Sequence, residues 1–317
     1  MTNKNKNCCF RTSIGGQALI EGILMRGPKK QAIVCRTKDG LVEKVEDIKL
    51  DKEKHPILGW PFIRGCAIFL DSMYKGMQAL TYSASLIPED EQAEPDKLDK
   101  WISDHFPAEK AQKLIIGTAV VLGIALSLLL FIFLPTLIVG FIKPLTANYV
   151  IRNLSEGVLK VVILLIYMKL CTRVSDVQRL FSYHGAEHKT IFCYEHGREL
   201  TVENVRTESR FHPRCGTSFL LVVIVVSILV NSVVLLDNSF ARMGCQLLLL
   251  PVVVGISYEI NRWCGRHDNI LSAALSAPGK WLQRITTNEP DDGMIECAIR
   301  SLELVIPEEK GLDEWGK

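Results

Sequence analysis

Two histidines and a glutamate form the most informative pattern in this chain. His184, Glu187 and His188 spell H-x-x-E-H, the reversed form of a zinc-hydrolase motif. Residues four apart share one face of a helix, so both imidazoles can bind one ion. Neutral imidazole is a common zinc ligand, and Glu187 is placed to take a proton from a metal-activated water. The motif therefore predicts a divalent metal site, with zinc as the expected ion.

Further ligand types are concentrated near this motif. Four of the seven histidines fall between His184 and His212. His212 and Cys215 lie three residues apart, on either side of Pro213 and just before Gly216, and this spacing suits a turn that supplies further ligands. We therefore predict His212 and Cys215 as the completing ligands. Weaker predictions in the same region are Glu195, His196 and Glu199.

Other charged residues extend the predicted site. Reversed zincins resemble this pattern in taking a Glu ligand tens of residues downstream, and Glu259 lies at such a position, at the end of an apolar segment. An interfacial Glu259 paired with Arg262 or another cation is the competing interpretation. As an enzyme, the protein is expected to catalyse hydrolysis, with Glu187 as the base and Arg214 (or Arg210) steadying an anionic substrate or intermediate.

The same residues also suit a protein without catalysis. Four protein ligands, such as His184, His188, His212 and Cys215, would form a closed structural or sensing zinc site, whereas an open coordination position favours catalysis. Transport ranks last, because it needs polar groups deep in several spans, and the sequence offers only Asn231 and a few hydroxyls. Enzyme and non-catalytic metal site therefore both remain open from the sequence.

Long apolar runs indicate that the chain crosses a membrane. Residues 114–142 contain no charged side chain, and this run is well above the roughly 20 residues that span a bilayer. Pro135 is expected to kink or end this helix. Residues 218–236 and 244–257 are two further predicted spans. These runs predict an α-helical polytopic membrane protein.

A fourth span is predicted at residues 154–174, although it contains Lys160 and Lys169. Both lysines are expected to extend toward opposite faces of the bilayer, and a surface amphipathic helix is the alternative. Lysine and arginine are frequent in the segment 175–216, and such residues mark the cytoplasmic side of a membrane. About four spans with both termini in the cytoplasm satisfy this distribution, and they predict a multi-pass protein of the cell membrane.

The first 113 residues predict a small cytoplasmic α+β module. The glycine-rich start of this module, residues 15–22, lacks the Gly-Lys-Ser/Thr of a P-loop, so its glycines are expected to permit tight turns or close packing. Two alternating runs joined at Asp39 and Gly40 predict a β-hairpin. Residues 57–86 predict an amphipathic helix resting on the membrane, or a buried soluble helix, and residues 89–113 predict a linker.

Residues 261–317 predict a cytoplasmic helical tail after a membrane domain at residues 114–260, whose His-rich loop is residues 175–216. Apolar residues at helical spacing in residues 294–305 predict a helix that docks on the N-terminal module. The ten cysteines are expected to be reduced on the cytoplasmic side, and Cys8 and Cys9 lie in a polar start that predicts no cleavable signal peptide. A net charge of +2 without a basic aromatic stripe argues against nucleic acid as a partner.

Several segments together resemble the YqhQ-like family of bacterial membrane proteins. The resemblance is carried by residues 14–28, the H-x-x-E-H stretch 183–189, residues 210–218 and the turn 286–292. That family is a domain of unknown function labelled a predicted metal-dependent enzyme. The resemblance implies a bacterial inner-membrane protein whose partners are the lipid bilayer and a membrane-associated peptide or lipid-linked substrate.

Overall fold

The fold is seen in a computed structural model of the chain. The structure describes residues 10–48, 59–88, 97–142, 148–234, 236, 238–267 and 269–315. Cys8 and Cys9 lie outside the described residues. Within these ranges the chain is mostly helical, with one small antiparallel sheet near its N-terminus.

Four antiparallel strands form a meander in the order β1-β2-β3-β4. The strands are β1 Gly15–Leu19, β2 Gly22–Arg26, β3 Lys30–Thr37 and β4 Gly40–Asp47. The predicted hairpin is confirmed, because Thr37 pairs with Gly40 and Gly40 takes a φ of 122°, which suits glycine. The glycine-rich segment forms β1 and β2, a second hairpin that its composition did not indicate.

Eleven helices follow among the described residues. The three at the start are α1 Ile63–Ser85, α2 Lys97–His105 and α3 Ala108–Leu128; a π-helical segment, Leu129–Phe133, then continues into α4 Leu134–Ile142. The rest are α5 Tyr149–Cys171, α6 Ser175–Glu195, α7 Val202–Arg206, α8 Gly216–Ser232, α9 Ser239–Arg266, α10 Ile270–Thr286 and α11 Asp292–Glu303. The linker prediction for residues 89–113 is therefore wrong from Lys97 onward. Within the predicted His-rich loop, residues 175–216, the structure has α6, which carries the H-x-x-E-H motif on a helix as predicted, and α7.

The core of the sheet is covered by α6 and α11. Asp291 caps α11 by accepting a hydrogen bond from the Met294 amide at 2.8 Å. The docking of the C-terminal helix on the N-terminal strands is thus confirmed. The apolar side chains that pack together come from both helices and from the sheet: Ile14, Ile23, Met25, Ala32, Val34, Tyr183, Ala186, Ile191, Met294, Cys297, Ala298, Leu302 and Val305.

The chain folds into two compact units. Unit 1 combines Met1–Leu86, Met168–Val223 and Pro251–Lys317, and it contains the sheet, α1, α6, α10 and α11. Unit 2 combines Ile87–Tyr167 and Ile224–Leu250 and is built from helices.

Among the described residues, two helical stretches are long and apolar enough to cross a membrane. They are Leu114–Phe141 and Phe240–Arg266. The first continues through Pro135 to Ile142, with the π-helical segment accommodating the missing backbone donor. The apolar helix α8 has 17 residues, and α5 does not meet the same criteria for a span. Two candidate spans therefore support an association of the protein with a membrane.

Unit 2 contains a buried ionic network centred on Glu156 of α5. The Glu156 carboxylate lies 2.9 Å from Lys160 Nζ and 2.8 Å from an Nη atom of Arg242. It also accepts hydrogen bonds from Gln246 at 2.7 Å and from Thr136 at 3.2 Å. The prediction that Lys160 extends outward is wrong, because this side chain is buried and neutralises Glu156.

Candidate metal centre

Helix α6 carries the H-x-x-E-H motif on its buried face. His184 and His188 lie one turn apart, with ring centroids separated by 4.4 Å, as the spacing of the motif predicts. Glu187 and His188 are buried. The helix is held at this depth by Tyr183, whose hydroxyl donates a hydrogen bond to Glu21 at 3.2 Å in the turn between β1 and β2.

Gly185 allows a second chain segment to approach the motif. A Cβ atom at this position would lie 2.0 Å from the Asn288 carbonyl oxygen, so only glycine fits without displacement. The Asn288 amide donates a hydrogen bond to the Phe181 carbonyl at 2.9 Å. This contact places the Thr286 carbonyl 2.9 Å from His184 Nδ1.

Both histidines present the same nitrogen to the centre. His184 Nδ1 donates to the Thr286 carbonyl, and His188 Nδ1 donates to the Arg210 carbonyl at 2.6 Å. Because a carbonyl oxygen can only accept, each Nδ1 carries a proton, and in the neutral form of each ring the lone pair is therefore on Nε2. A backbone carbonyl behind the ring is the usual support of a metal-binding histidine.

Cys215 completes a cluster of three ligand atoms. Its Sγ atom lies 3.2 Å from His184 Nε2 and 3.2 Å from the Thr217 hydroxyl. The ligand atoms of His184, His188 and Cys215 all lie within 4.8 Å of one another. Cys215 directly precedes α8, and the Gln283 amide of α10 fixes the segment by donating to the His212 carbonyl at 2.7 Å.

Ionisation within this cluster favours a thiolate. Burial alone would raise the pKa of the Cys215 thiol, but His188 and His184 lower it well below its usual value. Burial would lower the pKa of His184, whereas the neighbouring Cys215 raises it to about 9. The two shifts agree on an imidazolium–thiolate pair. A metal ion would replace the proton that this pair shares, since thiolate and neutral imidazole are the ligand forms.

Glu187 lies beside this cluster with one oxygen free of hydrogen bonds. Its Oε1 accepts from the Gly16 amide at 3.0 Å, and a Cβ atom on Gly16 would lie 3.0 Å from the Glu187 carboxyl carbon. Its Oε2 is buried without a hydrogen-bond partner among the described residues. Burial raises the pKa of Glu187, and His184 and His188 only partly oppose this effect. An orphaned carboxylate oxygen beside two nitrogens and a sulfur suits a bound cation or water.

The cluster opens into a cleft of about 820 Å³. One wall of the cleft includes His184, Glu187, His188 and Cys215. Its other side is formed by β1 and α1, and it includes charged residues. These charged residues are Arg26, Asp71 and Lys75. The Asp71 carboxylate lies 2.8 Å from the Arg26 guanidinium and 3.0 Å from Lys75 Nζ. The cluster is thus reachable by a ligand larger than water.

His212 and Arg214 occupy a neighbouring network instead of the cluster. His212 Nδ1 accepts from the Arg214 amide at 3.3 Å, and Nε2 lies 3.4 Å from Glu195. Both ring nitrogens are therefore engaged, and His212 contributes no ligand atom to the cluster. The Arg214 guanidinium forms an ion pair with the buried Glu195 carboxylate while its side chain borders the cleft. Burial raises the pKa of Glu195, but His212 and Arg214 outweigh it, so the pKa is lowered.

The remaining predicted site residues lie elsewhere in unit 1. Glu259 pairs with Arg64, with Nε at 2.6 Å from Oε1, so the ion-pair interpretation describes it, with Arg64 in place of Arg262. His196 at the end of α6 pairs with Glu208 at 3.0 Å. Of the five predicted ligands, the structure brings together His184, His188 and Cys215.

Three supporting groups carried no recognisable signal in the sequence. The carbonyls of Thr286 and Arg210 and the amide of Gly16 are backbone atoms, which any residue type supplies. Of these three residues, only Gly16 was part of a prediction, because the glycine-rich segment predicted close backbone packing. The Thr217 hydroxyl contacts Cys215, a role that the sequence analysis did not predict for it.

Comparison with known proteins places this site in a family. The family model described as "Protein of unknown function (DUF1385)" matches residues 60–308. The "Uncharacterized protein YqhQ" of Bacillus subtilis (strain 168) is 32% identical over 294 residues, which cover 90% of each chain. No solved structure matches this chain. The chain therefore belongs to the DUF1385 family and is YqhQ-like, as its motifs predicted.

Proposed function

We propose that this protein is a metal-dependent hydrolase of the bacterial inner membrane. His184, His188 and Cys215 would hold the ion, and Glu187 would act as the general base. The observation that carries the proposal is the buried, unpartnered Oε2 of Glu187 beside three clustered ligand atoms at the wall of an open cleft. A buried carboxylate oxygen without a partner is costly, and a site that receives a ligand or a proton accounts for that cost.

The ligand set favours zinc. Two imidazole nitrogens and one thiolate are borderline-soft ligands, and hard cations such as Mg²⁺ prefer oxygen. Three protein ligands leave a fourth position open toward the cleft, which is the arrangement of catalytic zinc sites rather than structural ones. When bound, the ion would lower the pKa of a water and polarise a carbonyl or phosphoryl oxygen.

The residues of this chain would then orient and move the proton. The Gly16 amide fixes Oε1 of Glu187, so that Oε2 would remain available to accept the proton. A raised pKa makes Glu187 a stronger base than an ordinary carboxylate, closer to the pH at which it works. Arg26 and Lys75 on the opposite wall would attract an anionic group of the substrate, because together they exceed the charge of Asp71.

The membrane arrangement we propose has about four spans with both termini in the cytoplasm. Two spans rest on the apolar stretches Leu114–Phe141 and Phe240–Arg266. The others are α8, whose 17 residues lie largely in the predicted span 218–236, and α5, whose Lys160 pairs with Glu156 inside the buried network. The substrate would be a peptide or a lipid-linked molecule at the cytoplasmic face of the bilayer.

Metal content measured by mass spectrometry tests the ligand set. Full-length protein in detergent is expected to hold one zinc ion per chain, and His184→Ala, His188→Ala and Cys215→Ser are each expected to lose it. Glu187→Gln and His212→Gln are expected to keep it. The matched control is His196→Ala, which changes a histidine on the same helix that pairs with Glu208 outside the cluster. Loss of metal in His212→Gln alongside the three ligand variants would indicate a closed four-ligand site.

The open coordination position is tested separately with cobalt. Co²⁺ bound through Cys215 gives a sulfur charge-transfer band, and this band reports on added ligands. Acetohydroxamate, a small bidentate metal ligand, is expected to shift the spectrum in the wild type. A spectrum that does not respond to acetohydroxamate would contradict a hydrolase and favour a structural or sensing site.

A further inference from the structure

Helix α1 has an apolar stripe that no described residue covers. Leu70, Met73, Tyr74 and Met77 follow the i, i+3, i+4, i+7 spacing of one helix face. Leu70 is 64% exposed and Tyr74 is 65% exposed. The opposite side of the same helix contains the buried Gly76, Ala79 and Ser83. A soluble surface rarely carries such a stripe without a partner.

Helix α10 has a second exposed apolar stripe, although its residues do not follow the spacing seen in α1. Its exposed apolar positions are Ile270, Leu271, Leu275 and Trp281, of which Ile270 is 91% exposed and Trp281 is 50% exposed. Lys280 and Arg284 are exposed beside them. Tryptophan and basic residues around an apolar face are the composition of helices that lie in a membrane interface.

Both helices hold the first turn of α8. The Phe69 ring of α1 packs on Phe219 at 5.9 Å between centroids. Gly279 of α10 approaches Ser218 so closely that a Cβ atom would lie 2.4 Å from its hydroxyl. This first turn follows directly after the proposed ligand Cys215. The two stripes are therefore fixed to the element that carries the metal centre.

Both helices are also attached to a candidate membrane span. A Cβ atom on Gly65 of α1 would lie 2.7 Å from Tyr258, and the Cys66 thiol donates to the Pro251 carbonyl at 3.1 Å. These contacts lie on α9, within the span Phe240–Arg266. Helix α10 begins four residues after that span ends. The stripes thus belong to one helix that contacts this candidate span and to another that follows it closely in sequence.

We propose that α1 and α10 lie in the surface of an anionic bilayer, so that the cleft opens among the lipid headgroups. One edge of α1 would contact lipid through Leu70 and Tyr74, and another edge lines the cleft through Asp71 and Lys75. The substrate of the proposed hydrolase would then be an amphiphile held in the bilayer, with its polar group in the cleft. The location of α1 and α10 is independent of the metal, whereas the substrate class rests on the proposed function.

Photo-crosslinking in lipid nanodiscs tests the surface. Benzoylphenylalanine replaces Tyr74 on α1 or Leu271 on α10, in the full-length protein with phosphatidylcholine and phosphatidylglycerol. Lipid adducts are expected by mass spectrometry at both positions. Arg198 and Arg300 are exposed control positions outside the stripes and are expected to give none. Adducts with a second copy of the chain, or no lipid adduct at either stripe, would overturn the proposal.

A lipid-like metal ligand tests the substrate class. In nanodiscs of the cobalt-loaded protein, dodecanoyl hydroxamate is expected to bind at least tenfold more tightly than acetohydroxamate. The double variant Tyr74→Asp, Leu271→Asp is expected to lose that preference while keeping its metal. An unchanged preference would overturn the bilayer-held substrate. If lipid adducts form but the protein holds no metal, the membrane-surface proposal stands and the hydrolase proposal is rejected. If the protein holds metal but no lipid adducts form, the hydrolase proposal stands and the membrane-surface proposal is rejected.

Discussion

Glu187 and Glu156 are both buried carboxylates on long helices, yet their surroundings differ in one respect. Oε1 of Glu156 in unit 2 lies 2.9 Å from Lys160 and accepts hydrogen bonds from Gln246 and Thr136. Its Oε2 accepts no hydrogen bond among the described residues but lies 2.8 Å from the Arg242 guanidinium, so each oxygen of Glu156 has a cation beside it. Glu187 in unit 1 has a single hydrogen bond, from the Gly16 amide, and its second oxygen has no partner among the described residues.

This difference separates two uses of a buried charge. A carboxylate surrounded by cations and hydrogen-bond donors joins helices in a fixed arrangement, and removing it leaves buried cations without a counter-charge. A carboxylate oxygen without a partner in the protein joins no other side chain to the helix that carries it. It retains capacity for a proton or an ion. The network of Glu156 is therefore expected to serve stability, and Glu187 to serve chemistry.

The largest expected effect is that of Glu156→Gln. Arg242 and Lys160 would stay buried with the counter-charge removed, which costs about 3–5 kcal/mol in comparable buried pairs. A denaturant titration in detergent measures the loss. The matched control is Glu303→Gln on α11, whose pair with Arg300 is solvent-exposed and is expected to change stability by about 0–1 kcal/mol. Equal effects in the two variants would remove the contrast drawn here.

Gly185→Ala is expected to weaken the metal centre without touching a ligand. The new methyl group would displace the Asn288 carbonyl and, with it, the Thr286 carbonyl that orients His184. Loss of such a supporting contact lowers metal affinity by about 10–100-fold. Competition with a chromogenic chelator measures the affinity. Gly244→Ala is the control, since a Cβ atom there meets nothing within 4 Å, and an identical loss in both would contradict the mechanism.

Metal affinity is expected to rise with pH. Because the pKa of His184 is raised to about 9, the metal-free centre holds a proton at neutral pH, and zinc must displace it. Each displaced proton changes the affinity by about tenfold per pH unit until pH exceeds that pKa. Proton release on zinc binding, measured calorimetrically in buffers of different ionisation enthalpy, checks this. Cys215→Ser is expected to release fewer protons, and an equal number would contradict the imidazolium–thiolate pair.

The smallest expected effect is that of Glu187→Gln on stability. Neither form of this side chain has a full set of partners, so the free energy of unfolding is expected to change by less than about 1 kcal/mol. The same denaturant titration applies. A loss as large as that of Glu156→Gln would show that Glu187 supports the fold. In that case the comparison between the two carboxylates would fail.

The sequence predicted the convergence of His184, His188 and Cys215 better than it predicted the groups around them. His184, His188 and Cys215 were recognisable because ligand types at helical and turn spacing have few other causes. His212 was grouped with them by proximity in sequence, but its ring is bound to Glu195 and the Arg214 amide. Which of several nearby ligand types converge depends on backbone positions that residue types do not encode.

The fold likewise divides into features that a local sequence pattern predicted and features that depend on residues far apart in the chain. The hairpin at Gly40, the H-x-x-E-H helix and the docking of α11 follow from local pattern and were predicted. The network of Glu156 was missed, because Arg242 and Gln246 lie 86 and 90 residues away along the chain. Glu156 and Lys160 were close enough to be recognised as an i, i+4 pair, but Lys160 was considered alone.

The supports of His184 and Glu187 also set when the centre can form during synthesis. The motif helix emerges from the ribosome before Cys215, and the carbonyl of Thr286 follows His184 by 102 residues. Gly16 is synthesised 171 residues before Glu187, so its amide can form this hydrogen bond only after Glu187 has been added. A nascent chain that ends between residues 215 and 286 therefore has both imidazoles and Cys215, but it lacks the carbonyl that fixes the tautomer of His184. Acquisition of the ion is expected to be a late event, after most of the chain has left the ribosome, and truncated chains should emerge without it.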